Sequence, residues 1–191
     1  MDDIVKAAMA KWPNVPHCYG WLGLDARGQW FMRDDPTQAA GPFACEPGEP
    51  CTPAKGSLLL HDKLIEFIHR NYAKDEAGCW FFQNGPQRVY VELEIAPYVW
   101  RLQPDGRVLA HTGQLAEQVR RCLLDERGRL YLQTELGWGL VHTSDMNLAA
   151  DAVEAGLWVP QNVEFAQLPA IGAYVRSPQR NTTYRGSATL T

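Results

Sequence analysis

Between Arg88 and Glu94, four charged or hydroxylated side chains recur at every second position: Arg88, Tyr90, Glu92 and Glu94. Val89, Val91, Leu93 and Ile95 alternate with them. Period two is the signature of a strand with one apolar and one polar face, so the four polar side chains are expected on one wet side of a sheet. Carboxylates two residues apart on a strand point the same way, as paired acid/base work or cation binding requires. A solvated face with cross-strand ion pairs has the same pattern. An uncovered face carrying Arg88, Tyr90, Glu92 and Glu94 would dock a small ligand or a partner protein. With a histidine added, Glu92 and Glu94 would instead serve a hydrolase or another acid/base enzyme.

A second constellation has metal-ligand types. His17, Cys18, Cys45 and Cys51 lie in one N-terminal region, and His with Cys suits zinc. Neighbours in sequence rarely aim at one ion, and the Cys45–Cys51 spacing is wider than a zinc knuckle, so unligated thiols are the preferred reading. The five cysteines form no framework spacing and read as reduced thiols. His61 borders a helical apolar stripe, His69 lies on that helix's wet face, and His111 and His142 end strands. No Gly-x-Ser-x-Gly, His-Glu-x-x-His or Gly-rich phosphate loop accompanies them, so ordinary surface or core roles are expected. No cofactor is implied. Seven tryptophans are present. Trp21, Trp30, Trp80 and Trp100 fall in predicted strands, where aromatics stack bases or fill a core. The net charge of −4 favours the core, and no nucleic-acid partner is expected.

The elements that must position these residues follow from periodicity and turn chemistry. Residues 2–12 predict a short helix ended by Pro13 and Pro16. Residues 19–33 predict a hairpin with Asp25-Ala26-Arg27-Gly28 at its tip. Residues 34–56, rich in Pro, Gly and acids, read as a surface excursion. Ser57 to Tyr72 gives the clearest amphipathic helix. Residues 79–111 read as a meander of about four strands, turned at Asn84-Gly85-Pro86 and Pro104-Asp105-Gly106 and broken at Pro97. A second hairpin spans 121–133, a Gly-rich strand 136–141, and a helix capped by Thr143 or Ser144 runs to about Ala155.

LDARGQWFMR from Leu24 matches LDERGRLYLQ from Leu124, with a looser copy from Leu102. Either two hairpin-plus-helix halves are duplicated, or hairpin tips converge because few residues make such turns. The fold class expected is α+β: antiparallel β-meanders in two halves, each packing one main helix. The domain expectation is 1–112 and 113–176, followed by a disordered polar tail over 177–191. An acidic N-terminus and the lack of an apolar run near ~20 residues predict neither a secretory signal nor a membrane span. A cytoplasmic, bacterial-style protein is expected.

The order of short motifs resembles an uncharacterised bacterial family, domain of unknown function 1285. Those motifs are Gly28-Gln29-Trp30-Phe31, Gly56-Ser57, the helix Lys63–Phe67, Gly78-Cys79-Trp80-Phe81-Phe82, and Val91 to Tyr98. The likeness spans roughly residues 18–160. It departs at the Pro/Cys-rich insertion over 35–55 and at Leu58, where that family has Pro. The resemblance implies an α+β fold with duplicated β-rich halves, and no activity or catalytic residue. The function expected is a non-enzymatic binding module for an unidentified small molecule or protein; the alternative is the acid/base enzyme.

Overall fold

Three hairpin tips are built by one device. Asp25, Asp75 and Asp125 each turn a side-chain oxygen onto the amide four residues later, 2.8 Å from Gln29, 2.9 Å from Cys79 and 2.9 Å from Arg129. The glycine before each amide has φ of 78°, 84° and 74°, a region that a Cβ would strain. Around these tips a computed structural model, which describes residues 1–181, forms two compact units.

The first unit holds Met1–Asp25, Gln29–Glu94 and the segment from Tyr174. In chain order it contains helix α1 (Asp3–Lys11), β1 (Cys18–Leu24), β2 (Trp30–Met32), α2 (Asp35–Ala40), β3 (Ser57–Leu58), α3 (Asp62–Arg70), β4 (Tyr72–Lys74), β5 (Trp80–Asn84) and β6 (Gln87–Leu93). The sheet order is β3-β2-β1-β6-β5-β4. β1 and β6 run parallel and the other pairs antiparallel. Val91 and Leu93 are fully buried, as are Leu22, Leu24 and Trp30 beside them in register. Phe67 of α3 meets Phe82 of β5 edge-on at 5.4 Å. This packed aromatic and aliphatic layer is the core of the unit.

The second unit holds Ala26–Gly28 and Ile95–Ala173. It contains β7 (Tyr98–Leu102), β8 (Val108–Ala110), β9 (Leu115–Ala116), β10 (Arg121–Asp125), β11 (Leu130–Gln133), β12 (Trp138–Val141), α4 (Met146–Glu154), β13 (Pro160–Val163) and α5 (Leu168–Gly172). Its sheet runs β13-β10-β11-β12-β7-β8-β9, with β12–β7 and β10–β13 parallel. Trp100, Leu132 and Val141 are buried at its centre, and the Trp100 indole donates to the Leu132 carbonyl at 3.0 Å.

The fold is α+β, as expected, with mixed rather than purely antiparallel sheets. Each unit joins two three-stranded meanders by laying the sixth strand parallel to the first. In this scheme the hairpin at Asp25 corresponds to the one at Asp105, and the hairpin at Asp75 to the one at Asp125. The sequence match between 24–33 and 124–133 therefore pairs non-equivalent hairpins, and the shared turn device accounts for it.

The chain divides near Glu94, not near 112. The central meander is shared: β5 and β6 lie in one sheet, β7 and β8 in the other, with Ala96-Pro97 at the crossing. The helix expected from Ser57 starts at Asp62, because Ser57–Leu58 pair with β2 and His61 Nδ1 caps the amide of Leu64 at 3.2 Å. The excursion over 34–56 is tied down. Asp34 caps α2 through Thr37, and Arg33, 1% exposed, donates to the carbonyls of Gly20, Gly41 and Ala54 at 3.0, 2.6 and 3.0 Å. Within the expected disordered tail, Ser177–Asn181 packs on the first unit; the remainder, 182–191, lies outside the described residues. No helix among the described residues is long and apolar enough to cross a membrane.

Candidate functional site

The expected polar platform on β6 is extended, as its alternation requires, but most of it is dry. Gly23 of β1 lies beside Glu92 in register, and a Cβ there would run into the ring of Phe43. Glycine thus lets the 41–56 excursion settle on this face. Glu92 is 3% exposed. It accepts hydrogen bonds from Ser177 Oγ at 2.5 Å and from the Gln179 amide at 3.0 Å. Burial raises its pKa, while the two hydrogen bonds and the charge of Arg33 pull the other way. Glu94 is partly exposed and pairs with Lys55 at 2.7 Å.

The other end of the face is aromatic. Tyr90, 2% exposed, stacks on Tyr19 with centroids 4.6 Å apart. Its hydroxyl donates to Asp75 at 3.0 Å, and burial raises its pKa. Arg88 is half-buried and lies 4.5 Å over the ring of Phe81, a cation–π contact. His17 meets Tyr90 edge-on at 5.9 Å; burial and the nearby Arg88 charge lower its pKa. Arg88, Tyr90, Glu92 and Glu94 therefore do not form one hydrated patch. Alternation reports two faces and is silent on whether distant segments cover the second.

The metal set does not assemble. Cys45 and Cys51 form a disulfide, which also corrects the reading of five reduced thiols. Cys18, Cys79 and Cys122 are free. No group of three His, Cys, Asp or Glu among the described residues is placed to hold a metal ion. Histidines serve the fold. His69 Nε2 accepts the Trp30 indole N–H at 2.9 Å, and burial lowers its pKa to about 4. His61 and His142 cap helical turns, and His111 Nδ1 accepts the Val99 amide at 3.3 Å. Trp30, Trp80 and Trp100 are core residues, whereas Trp21 is 41% exposed.

A larger recess lies in the second unit. An open groove of about 770 Å³ runs between β7–β9 and α4, lined by Leu102, Val108, Leu115, Ala152, Leu157 and Trp158. Its geometry has local causes. Gly156, at φ 70°, ends α4, and the Leu157 amide reaches back to the Ala152 carbonyl at 2.9 Å. This closure places Leu157 and Trp158 in the lining of the groove. The start of α4 is fixed by Asp145, which accepts from Arg101 Nε at 2.7 Å and from the Leu102 amide at 3.0 Å. Glu135 accepts the amides of Glu117 and Gln118 at 2.7 and 3.1 Å, fixing the loop after β9. Leu115 and Leu157 are 49% and 75% exposed. The carboxylates of Glu117 and Asp151 border the groove and make no ion pair among the described residues. The sequence signal was the apolar run Leu157-Trp158-Val159 straight after a helix-ending glycine.

No curated protein matches this chain. Two crystal structures are similar. A DUF1285 family protein from Shewanella baltica OS155 is 18% identical, with 69% of this chain and 91% of that one covered and a TM-score of 0.42. A DUF1285 family protein from Silicibacter pomeroyi DSS-3 is 15% identical, with 79% and 84% covered and a TM-score of 0.47. Both come from the family that the motif order resembles. Residues 1–184 match the family described as "Protein of unknown function (DUF2946)", and the chain belongs to that family.

Proposed function

We propose that this protein is a non-enzymatic binding module, and that its ligand is a small, mostly apolar molecule with a cationic group. The observation that carries the proposal is the groove between β7–β9 and α4, with Leu115 and Leu157 exposed along it and Glu117 and Asp151 at its border. Ligand pockets are concave and mainly apolar, with a few polar groups to fix orientation, and commonly span ~300–1,000 Å³. Covering about 200 Å² of apolar surface contributes roughly 5 kcal/mol before association costs are subtracted. Arg107 also lines the groove but is paired with Asp105 at 2.7 Å, so the carboxylates of Glu117 and Asp151 add a preference for positive charge. Docking on the β6 face would need Glu92 in water, and an acid/base role would need its oxygens available; both oxygens are engaged.

Methyl NMR spectra titrated with decylamine, and separately with decanoate, test this. The methyls of Val108, Leu115 and Leu157 should shift together, at lower concentration for the amine. Shifts scattered over both units, or equal for the two compounds, would overturn the reading.

A further inference from the structure

We propose that Cys45–Cys51 is a reversible thiol–disulfide exchange site that governs whether the C-terminal strap, Tyr174–Asn181, covers the Glu92 end of the first sheet. The disulfide closes a short loop whose middle, Pro47 to Pro50, is exposed, and both cysteines are partly exposed. That loop grips the strap at two points. Glu46 pairs with Arg176 at 2.6 Å, and Glu49 pairs with Arg180 at 3.0 Å. The Cys45 carbonyl also accepts from Arg176, at 3.4 Å.

The strap in turn grips the sheet. The Leu93 amide donates to the Arg176 carbonyl at 2.8 Å, and the Val175 amide donates to the Gly78 carbonyl at 3.0 Å. Ser177 and Gln179 complete the cover over Glu92. The disulfide therefore holds two carboxylates in place for two arginines, and those arginines hold the strap that keeps a carboxylate dry. Opening the bond frees a Pro- and Gly-containing loop with no regular structure, and its conformational entropy then opposes both ion pairs.

The exchange partner is a dithiol. Its thiolate attacks one cysteine sulfur and breaks the S–S bond; the other sulfur leaves as a thiolate and takes up a proton. The partner's second thiol attacks the mixed disulfide, forms the partner's own S–S bond and releases the second cysteine as a thiol. Two electrons and two protons pass from the dithiol to the protein. The remaining cysteines do not compete. Cys79 is 0% exposed, and burial raises the thiol pKa of Cys18 and pushes that of Cys122 up to about 11, so little thiolate forms. The strap is closed in an oxidising compartment and released in a reducing one.

Hydrogen exchange read by mass spectrometry on the full chain, with and without dithiothreitol, tests the site. Reduction should speed exchange in the peptide spanning 174–181 at least ~10-fold while β10–β12 peptides keep their protection, since local opening differs from global unfolding. Cys45→Ser with Cys51→Ser should reproduce the reduced pattern. Glu46→Gln with Glu49→Gln should loosen the strap with the disulfide intact. Unchanged exchange after reduction overturns the proposal, as does a disulfide that resists excess dithiothreitol in the folded protein. Global loss of protection overturns it too, because the bond would then be a structural staple.

Discussion

Ser177 Oγ donates to a carboxylate oxygen of Glu92 at 2.5 Å, linking residues 85 positions apart. The contact belongs to the cover that buries Glu92, and that burial gives the carboxyl a pH signature. Burial, its largest influence, raises its pKa in the fold. The native state then holds a proton that the unfolded chain has lost, so stability falls as pH rises from the unfolded to the folded pKa. Glu92→Gln should remove that slope. Urea unfolding at a series of mildly acidic pH values would show it; an unchanged slope in the variant would rule out Glu92 as its source.

His69 contributes a slope of opposite sign. Burial lowers its pKa to about 4 in the fold, where Nε2 accepts the Trp30 indole N–H. The unfolded chain binds the proton first, so stability rises as pH climbs from about 4 toward the ordinary histidine value of ~6.5. His69→Gln keeps an acceptor for Trp30 and should flatten this rise. Imidazole NMR shifts should place the protonation midpoint of His69 near the lower end of that range, at about 4; a midpoint near the ordinary ~6.5 would contradict the assignment.

How much of this was legible in the sequence depends on the distance over which the cause acts. The Asp25, Asp75 and Asp125 tips were readable because the donor, the acceptor and the glycine lie within five residues. β6 was readable as a strand because alternation is local. The cover over Glu92 was not, because Ser177, Gln179 and Phe43 are polar or isolated residues whose role exists only in three dimensions. Arg33 gave no signal, since a lone arginine after a strand usually faces water. Cys45 and Cys51 were visible, but their spacing alone does not show whether the thiols meet.

Arg33 should be among the costliest residues to replace. Its guanidinium supplies three separated carbonyls, and a buried acceptor left unpaired costs roughly 1–3 kcal/mol. Arg33→Met should destabilise the first unit by about 3–5 kcal/mol, and Arg33→Lys by somewhat less, because an ammonium cannot span the same fork. Denaturation midpoints measure this, and a loss below ~1 kcal/mol would mean that water replaces the side chain.

Leu157 offers the opposite contrast. It is 75% exposed, so Leu157→Lys should leave stability within ~0.5 kcal/mol of the parent. The same change puts a charge on the apolar wall of the groove and should weaken binding of decylamine by ten-fold or more. Calorimetric titration beside a thermal melt separates the two effects. Unchanged affinity would move the binding surface elsewhere.

Asp145 joins stability to the groove. Burial opposes its charge, but the hydrogen bonds from Arg101 and from the Leu102 amide prevail and hold its pKa below the usual carboxylate range. The native state binds the proton later than the unfolded chain does, so this contribution is complete above the unfolded pKa and is lost as pH falls through the folded one. Asp145→Asn retains one acceptor oxygen and loses the charge. Since Arg101 is about half exposed, the expected cost is about 1–2 kcal/mol, below that of breaking a fully buried pair. Asp145 fixes where α4 begins against β7, so the variant should also lose affinity for decylamine several-fold, even at temperatures where it is fully folded. Affinity equal to the parent's, alongside a lowered melting point, would show that the helix keeps its place without this anchor.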